Sequence, residues 1–218
     1  MLDAALTVMR TRGVARATTK EIAREAGFSE AALYKHFEDK TTLFVAVLIE
    51  RLPSRLGEVL DRLPQRVGTA DVEEILTEVA AEALAFYRET FPMGVSLFSE
   101  PAVLTAHRAA LDRLGTGPHL PFEAVASFLS AEARHGRVDA TVDPRAAARL
   151  LLGACQTTAF LSAFRATPET GEDADGGADA TSDAEPHSET HTETDAATAR
   201  RLARVVVRGL LPGTPDPR

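Results

Sequence analysis

The sequence predicts an all-α fold. Its apolar residues recur at intervals of three and four and almost never at two. Gly13, Pro53 and Pro101 interrupt these periodic stretches, as expected at helix ends. With 218 residues, 44% of them apolar, the chain can bury a sizeable core. We predict a small N-terminal domain over residues 1–46 and a larger helical domain over residues 47–212.

Three short helices are predicted in the N-terminal domain. The first ends at Gly13, and the other two lie on either side of Gly27. Their apolar stripes are Leu2, Ala5, Leu6 and Met9, then Ile22, Ala23 and Ala26, then Leu33 and Phe37. We expect Phe28 and Phe37 to lie in the core.

The helices lengthen after the N-terminal domain. A linker helix is predicted over residues 40–52, because Pro53 should end or kink it. Further helical segments are predicted at 71–90, at 91–115 with a break at Pro101, and at 121–135. Asp143 and Pro144 mark another helix start, with Asp143 as the N-cap and Pro144 where a missing N–H costs nothing. That helix is predicted to reach residue 164.

Residues 167–194 differ from the rest of the chain in composition. They include no residue larger than His, so they cannot bury enough apolar surface to offset the entropy of ordering. We therefore predict a disordered acidic insertion here. An amphipathic last helix is predicted over 196–211, with its apolar positions at Ala199, Leu202, Val206 and Leu210.

The net charge of −8 is confined to one segment. Residues 166–198 contain ten carboxylates and no Lys or Arg, so the rest of the chain carries +2. All three lysines, Lys20, Lys35 and Lys40, lie in the first forty residues. Because binding depends on the local field, the acidic total does not exclude a partner such as nucleic acid.

Several other classes of protein are disfavoured. Cys155 lies in an apolar run, which favours a buried structural thiol over a nucleophile or metal ligand. Asp3 interrupts the only apolar stretch at the N-terminus, and no 18 uncharged apolar residues run together, so we expect a cytoplasmic protein. His187 and His191 are four residues apart, but their low-complexity surroundings favour solvated side chains. We predict no catalytic site, metal or cofactor.

The segment over residues 18–40 reads TTKEIAREAGFSEAALYKHFEDK. Thr18 stands three residues before Glu21, which is the capping-box spacing, and Ser29 can cap a second helix. Between them, Gly27 can take the positive φ that ends the first helix. This pattern predicts two short helices crossing steeply, with the outer face of the second free to enter a DNA major groove.

The same segment resembles the signature of the TetR family of regulators, and the resemblance covers about residues 2–47. It is carried by Thr18, Thr19, Ile22, Ala23, Ala26, Gly27, Ser29, Leu33, Tyr34, His36, Phe37 and Lys40. The resemblance implies a three-helix DNA-binding domain on a helical body that binds a small molecule and dimerises. It also implies a transcription regulator that binds double-stranded DNA at an inverted repeat, most simply a repressor that its ligand releases. A ligand-independent repressor and an activator remain as alternatives.

The resemblance also implies roles for individual residues. Tyr34, His36 and Lys40 would hold phosphates, with a hydroxyl or backbone N–H added by Thr18 or Thr19. The residues expected to face the groove, downstream of the Ser29 cap, are Glu30, Ala31, Ala32 and Lys35, with Lys20 reaching in from the preceding helix. A lysine can contact guanine, an alanine can contact a thymine methyl, and Glu30 can either accept from cytosine N4 or repel phosphate.

Dimerisation and ligand binding are expected from the body. We predict that the helices over 143–164 and 196–211 form the dimer interface, as the resemblance implies, with packing inside one subunit as the alternative. The body is also expected to hold a pocket for an apolar or aromatic ligand. Its lining residues would be Phe86, Met93, Phe98, His107, Phe128 and Phe160. Ligand binding would move the linker helix and shift the two DNA-binding domains off their half-site spacing.

Overall fold

The computed structural model describes residues 1–51, 55–165 and 188–210. This part of the chain contains helices and turns and no strand, so the predicted all-α class is confirmed. The helices are α1 (Leu2–Arg16), α2 (Thr19–Glu25), α3 (Glu30–Tyr34), α4 (Lys40–Glu50), α5 (Arg55–Arg66), α6 (Val72–Phe98), α7 (Pro101–Leu114), α8 (Leu120–Arg134), α9 (Pro144–Arg165) and α10 (Ser188–Arg208). No helix is predicted from the sequence at α5.

Helices α1 to α4 form the head, which has a core of its own. Gly13 interrupts α1 with a φ of +76°, as its position predicts, and the chain resumes one more helical turn. The fully buried residues of this head cluster include Met9, Ile22, Leu33 and Phe44. Phe37 packs against the cluster, but Phe28 is 54% exposed, so the prediction that it lies in the core is wrong. Phe28 follows Gly27 in the turn, where the chain has already left the packed face of α2.

Helices α5, α6, α8, α9 and α10 enclose the larger core, and with α7 they form the body. Its buried residues come from every one of these five helices, and Leu76, Leu84, Leu129 and Leu151 are among the fully buried. Two carboxylates cap helices of the body. Asp71 accepts from the backbone N–H groups of Glu73 and Glu74, and Asp143, the predicted N-cap, accepts from that of Arg145. Helix α9 therefore begins at its predicted start and ends one residue later than predicted.

Helix α6 is longer than the sequence predicts. The predicted end at residue 90 is wrong, because α6 continues through Pro92 to Phe98. A proline inside a helix loses a hydrogen bond, which costs about 3 kcal/mol. That cost is offset here by tertiary packing, since Met93 and Leu97 are buried in the head cluster, with Val103 of α7 beside them. The predicted boundary at 46/47 falls inside α4, and these three residues beyond it share the core of the head.

Helix α10 also differs from its prediction. It begins at Ser188 rather than at residue 196, so residues 188–194, predicted to be disordered, are helical. Once Ala199, Ala203 and Val207 anchor a helix in the body core, adding residues at its N-terminus no longer requires nucleation. The other part of the predicted insertion, residues 167–187, lies outside the described residues, as do Leu52, Pro53 and Leu211.

Among its described residues, the body contains one fully buried carboxylate, Glu132 of α8. It accepts a hydrogen bond from the backbone N–H of Gly68 at 3.0 Å and lies 3.3 Å from the Nε of Arg137. Arg137 in turn donates to the backbone carbonyl of Ala70. These contacts tie the turn between α5 and α6 to the end of α8.

Candidate nucleic-acid interface

Helices α2 and α3 meet through a turn that the backbone closes by itself. The N–H of Phe28 donates to the carbonyl of Ala23 at 2.9 Å, and the N–H of Gly27 donates to that of Arg24 at 3.1 Å. Together with the φ of +72° at Gly27, these two bonds form a Schellman motif. The turn aims α3 away from α2, and Leu33 closes the gap between the two helices with no exposed surface.

Side-chain caps set where each helix begins. Thr18 and Glu21 form the predicted capping box, and the hydroxyl of Ser29 accepts from the N–H of Ala32 at 3.2 Å. The carboxylate of Asp39 accepts from the N–H of Thr42 at 2.7 Å at the start of α4. The hydrogen bond from Thr18 lowers the pKa of Glu21, and the hydrogen bonds from Thr42 lower the pKa of Asp39.

Most of the predicted DNA-binding residues are exposed. The exposed members are Thr18, Lys20, Ser29, Glu30, Ala31, Tyr34, Lys35 and His36, and Ala32 is partly buried. Two lysines are thus exposed in this pair of helices, Lys20 on α2 and Lys35 at the C-cap of α3. Lys40 is partly buried, and its Nζ lies 4.9 Å from the centre of the Phe44 ring at the N-terminus of α4. An ammonium group held at a helix N-terminus is placed to bind a phosphate.

Thr19 is nearly buried, unlike the exposed residues that are predicted to contact DNA with it. It is only 8% exposed, and its hydroxyl donates to a carboxylate oxygen of Glu30 at 2.5 Å. The Tyr34 hydroxyl lies 3.3 Å away on the other side. The Thr19 hydroxyl is therefore occupied inside the head. The Thr18 hydroxyl is occupied as well, since it donates to Oε2 of Glu21 at 2.8 Å, but Thr18 is exposed.

The structure does not gather the six residues predicted to line a ligand pocket. Phe128 is buried in the body core and Phe86 packs against it, beside Tyr87. Met93 belongs to the head cluster, whereas Phe98 is 70% exposed. Phe160 is 44% exposed and packs edge-to-face on Phe91. Their role in ligand binding stays a prediction, which Met93 and Phe98 fit least.

His107 completes this set and has a separate environment. It is half-buried on α7, its Nδ1 has no hydrogen-bond partner in the described part of the chain, and burial lowers its pKa. Nothing among the described contacts places it beside Phe86 or Phe128.

The head is joined to the body by contacts that the sequence analysis missed. Arg10 of α1 forms an ion pair with Glu89 of α6, and the N–H of Ala15 donates to the Ser96 hydroxyl at 3.4 Å. Met93 and Leu97 are four residues apart, which is the spacing of one apolar helix face. That spacing could have indicated that α6 continues, but Pro92 suggests a helix end just before it.

Comparison with known proteins points to one family. Residues 1–47 match the model of bacterial regulatory proteins of the tetR family. The N-terminal domain, residues 1–47, is therefore a TetR-family domain. The match coincides with α1 to α4, so the exposed surface around α3 is that of a helix-turn-helix DNA-binding domain.

Similarity to individual proteins is strongest in the TetR-family domain. The chain is 43% identical over 54 residues to the nucleoid occlusion factor SlmA of Vibrio atlanticus, a match that spans only 28% of that factor's length. It is 29% identical over 158 residues to the uncharacterized HTH-type transcriptional regulator MT2310 of Mycobacterium tuberculosis, covering 72% of this chain and 77% of that one.

The fold of the whole chain has structural counterparts. A Mesorhizobium loti protein assigned to the TetR family of transcriptional regulators superposes with a TM-score of 0.68 at 18% identity. The superposition covers 97% of this chain and 95% of that one, so the two proteins share the same fold over the body as well as the head.

Proposed function

We propose that the chain is a cytoplasmic, homodimeric transcription regulator that binds double-stranded DNA at an inverted-repeat operator, most simply a repressor that a small molecule releases. The observation that carries the proposal is the capped α2–α3 pair, which leaves Glu30, Ala31 and Tyr34 of α3 exposed. Selection of sites from random duplex DNA at about 150 mM salt tests it. Recovery of an inverted repeat supports the proposal, and no enrichment contradicts it.

Lys40 and Lys35 are proposed to have different roles, Lys40 in affinity for DNA and Lys35 in sequence preference. Lys40 lies at a helix N-terminus and would hold a phosphate, so Lys40→Ala should weaken binding to all sequences alike and reduce the salt slope by about one unit. Lys35 lies at the end of α3, so Lys35→Ala should change the preferred sequence. Uniform loss of affinity from both variants would refute this division.

A homodimer is proposed through α9 and α10. One face of α9 buries Leu151, Leu152 and Cys155 in the body core, while the opposite face exposes an apolar stripe along its length. That stripe contains Leu150, Leu161 and Phe164, which are 67%, 42% and 81% exposed. Val205 of α10, 72% exposed, lies with Leu150 in a groove of about 400 Å³ between the two helices. Apolar surface of this extent on two neighbouring helices is typical of a protein interface.

The two faces of α9 also account for its composition. Within the described residues, it is the one helix long and apolar enough to pass a length-and-composition test for a membrane span. Its core-facing side and its proposed interface side are both apolar, which is the pattern of a helix packed from two directions.

The dimer is tested by Leu150→Arg. A charge in the middle of the stripe should convert the dimer to a monomer in analytical ultracentrifugation and weaken binding to a two-half-site operator by more than tenfold. Gln156→Arg is the matched control, since Gln156 is exposed on α9 but lies away from the stripe. A dimer that survives Leu150→Arg would contradict the proposed interface.

Regulation by a ligand is proposed to act through α6. This helix supplies Leu76 and Leu84 to the body core and Met93 and Leu97 to the head cluster, so a change in the body core reaches the head along one element. A ligand that favours one body conformation by about 2 to 3 kcal/mol would reduce DNA binding by roughly 30- to 150-fold. Titration of apolar and aromatic compounds into a DNA-bound dimer tests this, and unchanged affinity with every compound would favour the ligand-independent alternative. The position of the operator relative to a promoter distinguishes repressor from activator.

A further inference from the structure

Thr19 and Glu30 form an unusual pair in the head. Thr19 is one of two buried polar or charged residues in the described part of the chain, and its hydroxyl proton is donated to Oε1 of Glu30 at 2.5 Å. A threonine hydroxyl has one proton, so the contact with Tyr34 at 3.3 Å requires the tyrosine to donate. The order of donation is therefore from Tyr34 to Thr19 to Glu30.

This chain of hydrogen bonds fixes Glu30 on α3. Glu30 is the first residue of the helix, directly after the Ser29 cap, and its side chain is exposed. Within the described residues, no further hydrogen bond or ion pair is formed by this carboxylate, so Oε2 remains available. A glutamate without a partner on a DNA-facing surface is free to rotate away from the phosphates, whereas here one oxygen is held by a buried group of α2.

The free oxygen restricts which base can lie opposite it. A carboxylate only accepts hydrogen bonds, so it is repelled by the O4 of thymine and by the O6 and N7 of guanine. Adenine offers its N6 amino group, but the acceptor N7 lies beside it. Cytosine offers the N4 amino group with no acceptor next to it in the major groove.

We propose that Glu30 is a specificity-determining residue that selects cytosine at one position of each half-site, and that Thr19 is the positioning residue that aims its carboxylate. The proposal rests on the proposed function, because it requires α3 to lie in a major groove. Glu30 thereby gains a role in base selection, in place of general repulsion of phosphate.

Selection of binding sites by the full-length chain and its variants tests the pair. The wild-type protein should enrich an inverted repeat with cytosine at one position per half-site. Glu30→Gln should move the preference at that position to adenine, whose N6 and N7 match an amide, and leave the other positions unchanged. Glu38→Gln is the matched control: it removes an exposed carboxylate of the head outside α3 and should change no position.

Two substitutions at Thr19 test its positioning role. Thr19→Ser keeps the hydroxyl and should keep the cytosine preference. Thr19→Val has nearly the same shape but lacks the hydroxyl, so the Glu30 carboxylate is no longer held in place. The cytosine preference should fall about fivefold at that position alone, as expected when one base contact is weakened. Thermal unfolding of each variant verifies that the head remains folded.

The outcomes separate this proposal from the proposed function. An inverted repeat that is recovered by the wild-type protein but unchanged in Glu30→Gln would overturn the role of Glu30. Equal behaviour of Thr19→Ser and Thr19→Val would overturn the role of Thr19. No repeat with the wild-type protein would overturn the proposed function, and the base-selection proposal with it.

Discussion

The head and the body of this protein differ in how their structures are specified. In the head, three of four helices begin at a side-chain cap, and the turn between α2 and α3 is closed by backbone hydrogen bonds around Gly27. In the body, α6 and α9 also begin at side-chain caps, but α7 and α8 do not, and stability rests on a larger apolar core that five helices share. The head nevertheless depends on the body for part of its core, through Met93 and Leu97 of α6. Local hydrogen bonds thus define the shape of the head, whereas its stability also depends on residues of the body.

The largest expected effect follows from this shared core. Met93 is 1% exposed in the head cluster, so Met93→Ala should lower the free energy of unfolding by about 2 to 5 kcal/mol. Urea denaturation measures the loss, and operator binding should weaken with it. Val95→Ala, two residues away and 56% exposed, should change the stability by no more than about 0.5 kcal/mol. Similar stabilities for the two variants would show that the head is independent of α6.

A somewhat smaller effect is expected within the body. Glu132→Ala leaves the Gly68 N–H and the Arg137 guanidinium without their buried partner, which should cost about 3 kcal/mol. The exposed neighbour Arg134 provides the control substitution, Arg134→Ala. Below the unfolding transition, Glu132→Ala should still bind DNA as tightly as the wild type. A selective loss of DNA binding in the folded variant would contradict a purely stabilising role for Glu132 in the body.

A smaller effect is expected from one cap of the head. Asp39→Ala removes the acceptor for the Thr42 N–H and should cost about 1 kcal/mol at pH 7, whereas Asp39→Asn keeps an acceptor and should cost less. The pKa of Asp39 is lowered in the folded state, so its ionised form stabilises the fold above the unfolded pKa of about 3.9. That contribution is lost as the pH falls through the folded pKa. Chemical denaturation at pH 7 and pH 3 should therefore show the gap between wild type and Asp39→Ala shrinking, and a gap that widens at pH 3 would contradict it.

The smallest effect is expected at Cys155, whose thiol should hardly react while the body is folded. Burial raises the pKa of Cys155 to about 12 and encloses its Sγ, which lies 3.7 Å from the carbonyl of Ala80. A disulfide reagent at pH 8 should therefore label Cys155 only when the body opens, and much more slowly than in urea-unfolded chain. Labelling of the native protein at the unfolded rate would show that the body core is open.

Sequence signals were most reliable where a short segment supplies its own hydrogen-bond partners. The capping box at Thr18, the Ser29 cap, the positive φ of Gly27 and the helix start at Asp143 are all found as predicted, since each needs only neighbours within a few residues. The exposed surface around α3 follows from these signals.

Predictions failed where distant residues decide the outcome. Proline at position 92 suggests a helix end, but burial of Met93 and Leu97 against the head carries α6 through it. The predicted phosphate contact of Thr19 stays a prediction, but the sequence does not signal that its hydroxyl donates to Glu30, eleven residues away. The anchored α10 extends through residues 188–194, whose composition alone predicts disorder. In each case the deciding contact joins elements that are separate in the sequence.

Apolar periodicity, caps and a single glycine are sufficient to determine the all-α class, the two short helices of the head and the place of α3 on its surface, because these depend on local backbone geometry. Only the tertiary structure decides that α6 enters both cores, that α9 has a second apolar face left exposed, and that Thr19 holds Glu30. Those features depend on which helices pack together, and the free energy of that packing comes from contacts between residues far apart in the chain.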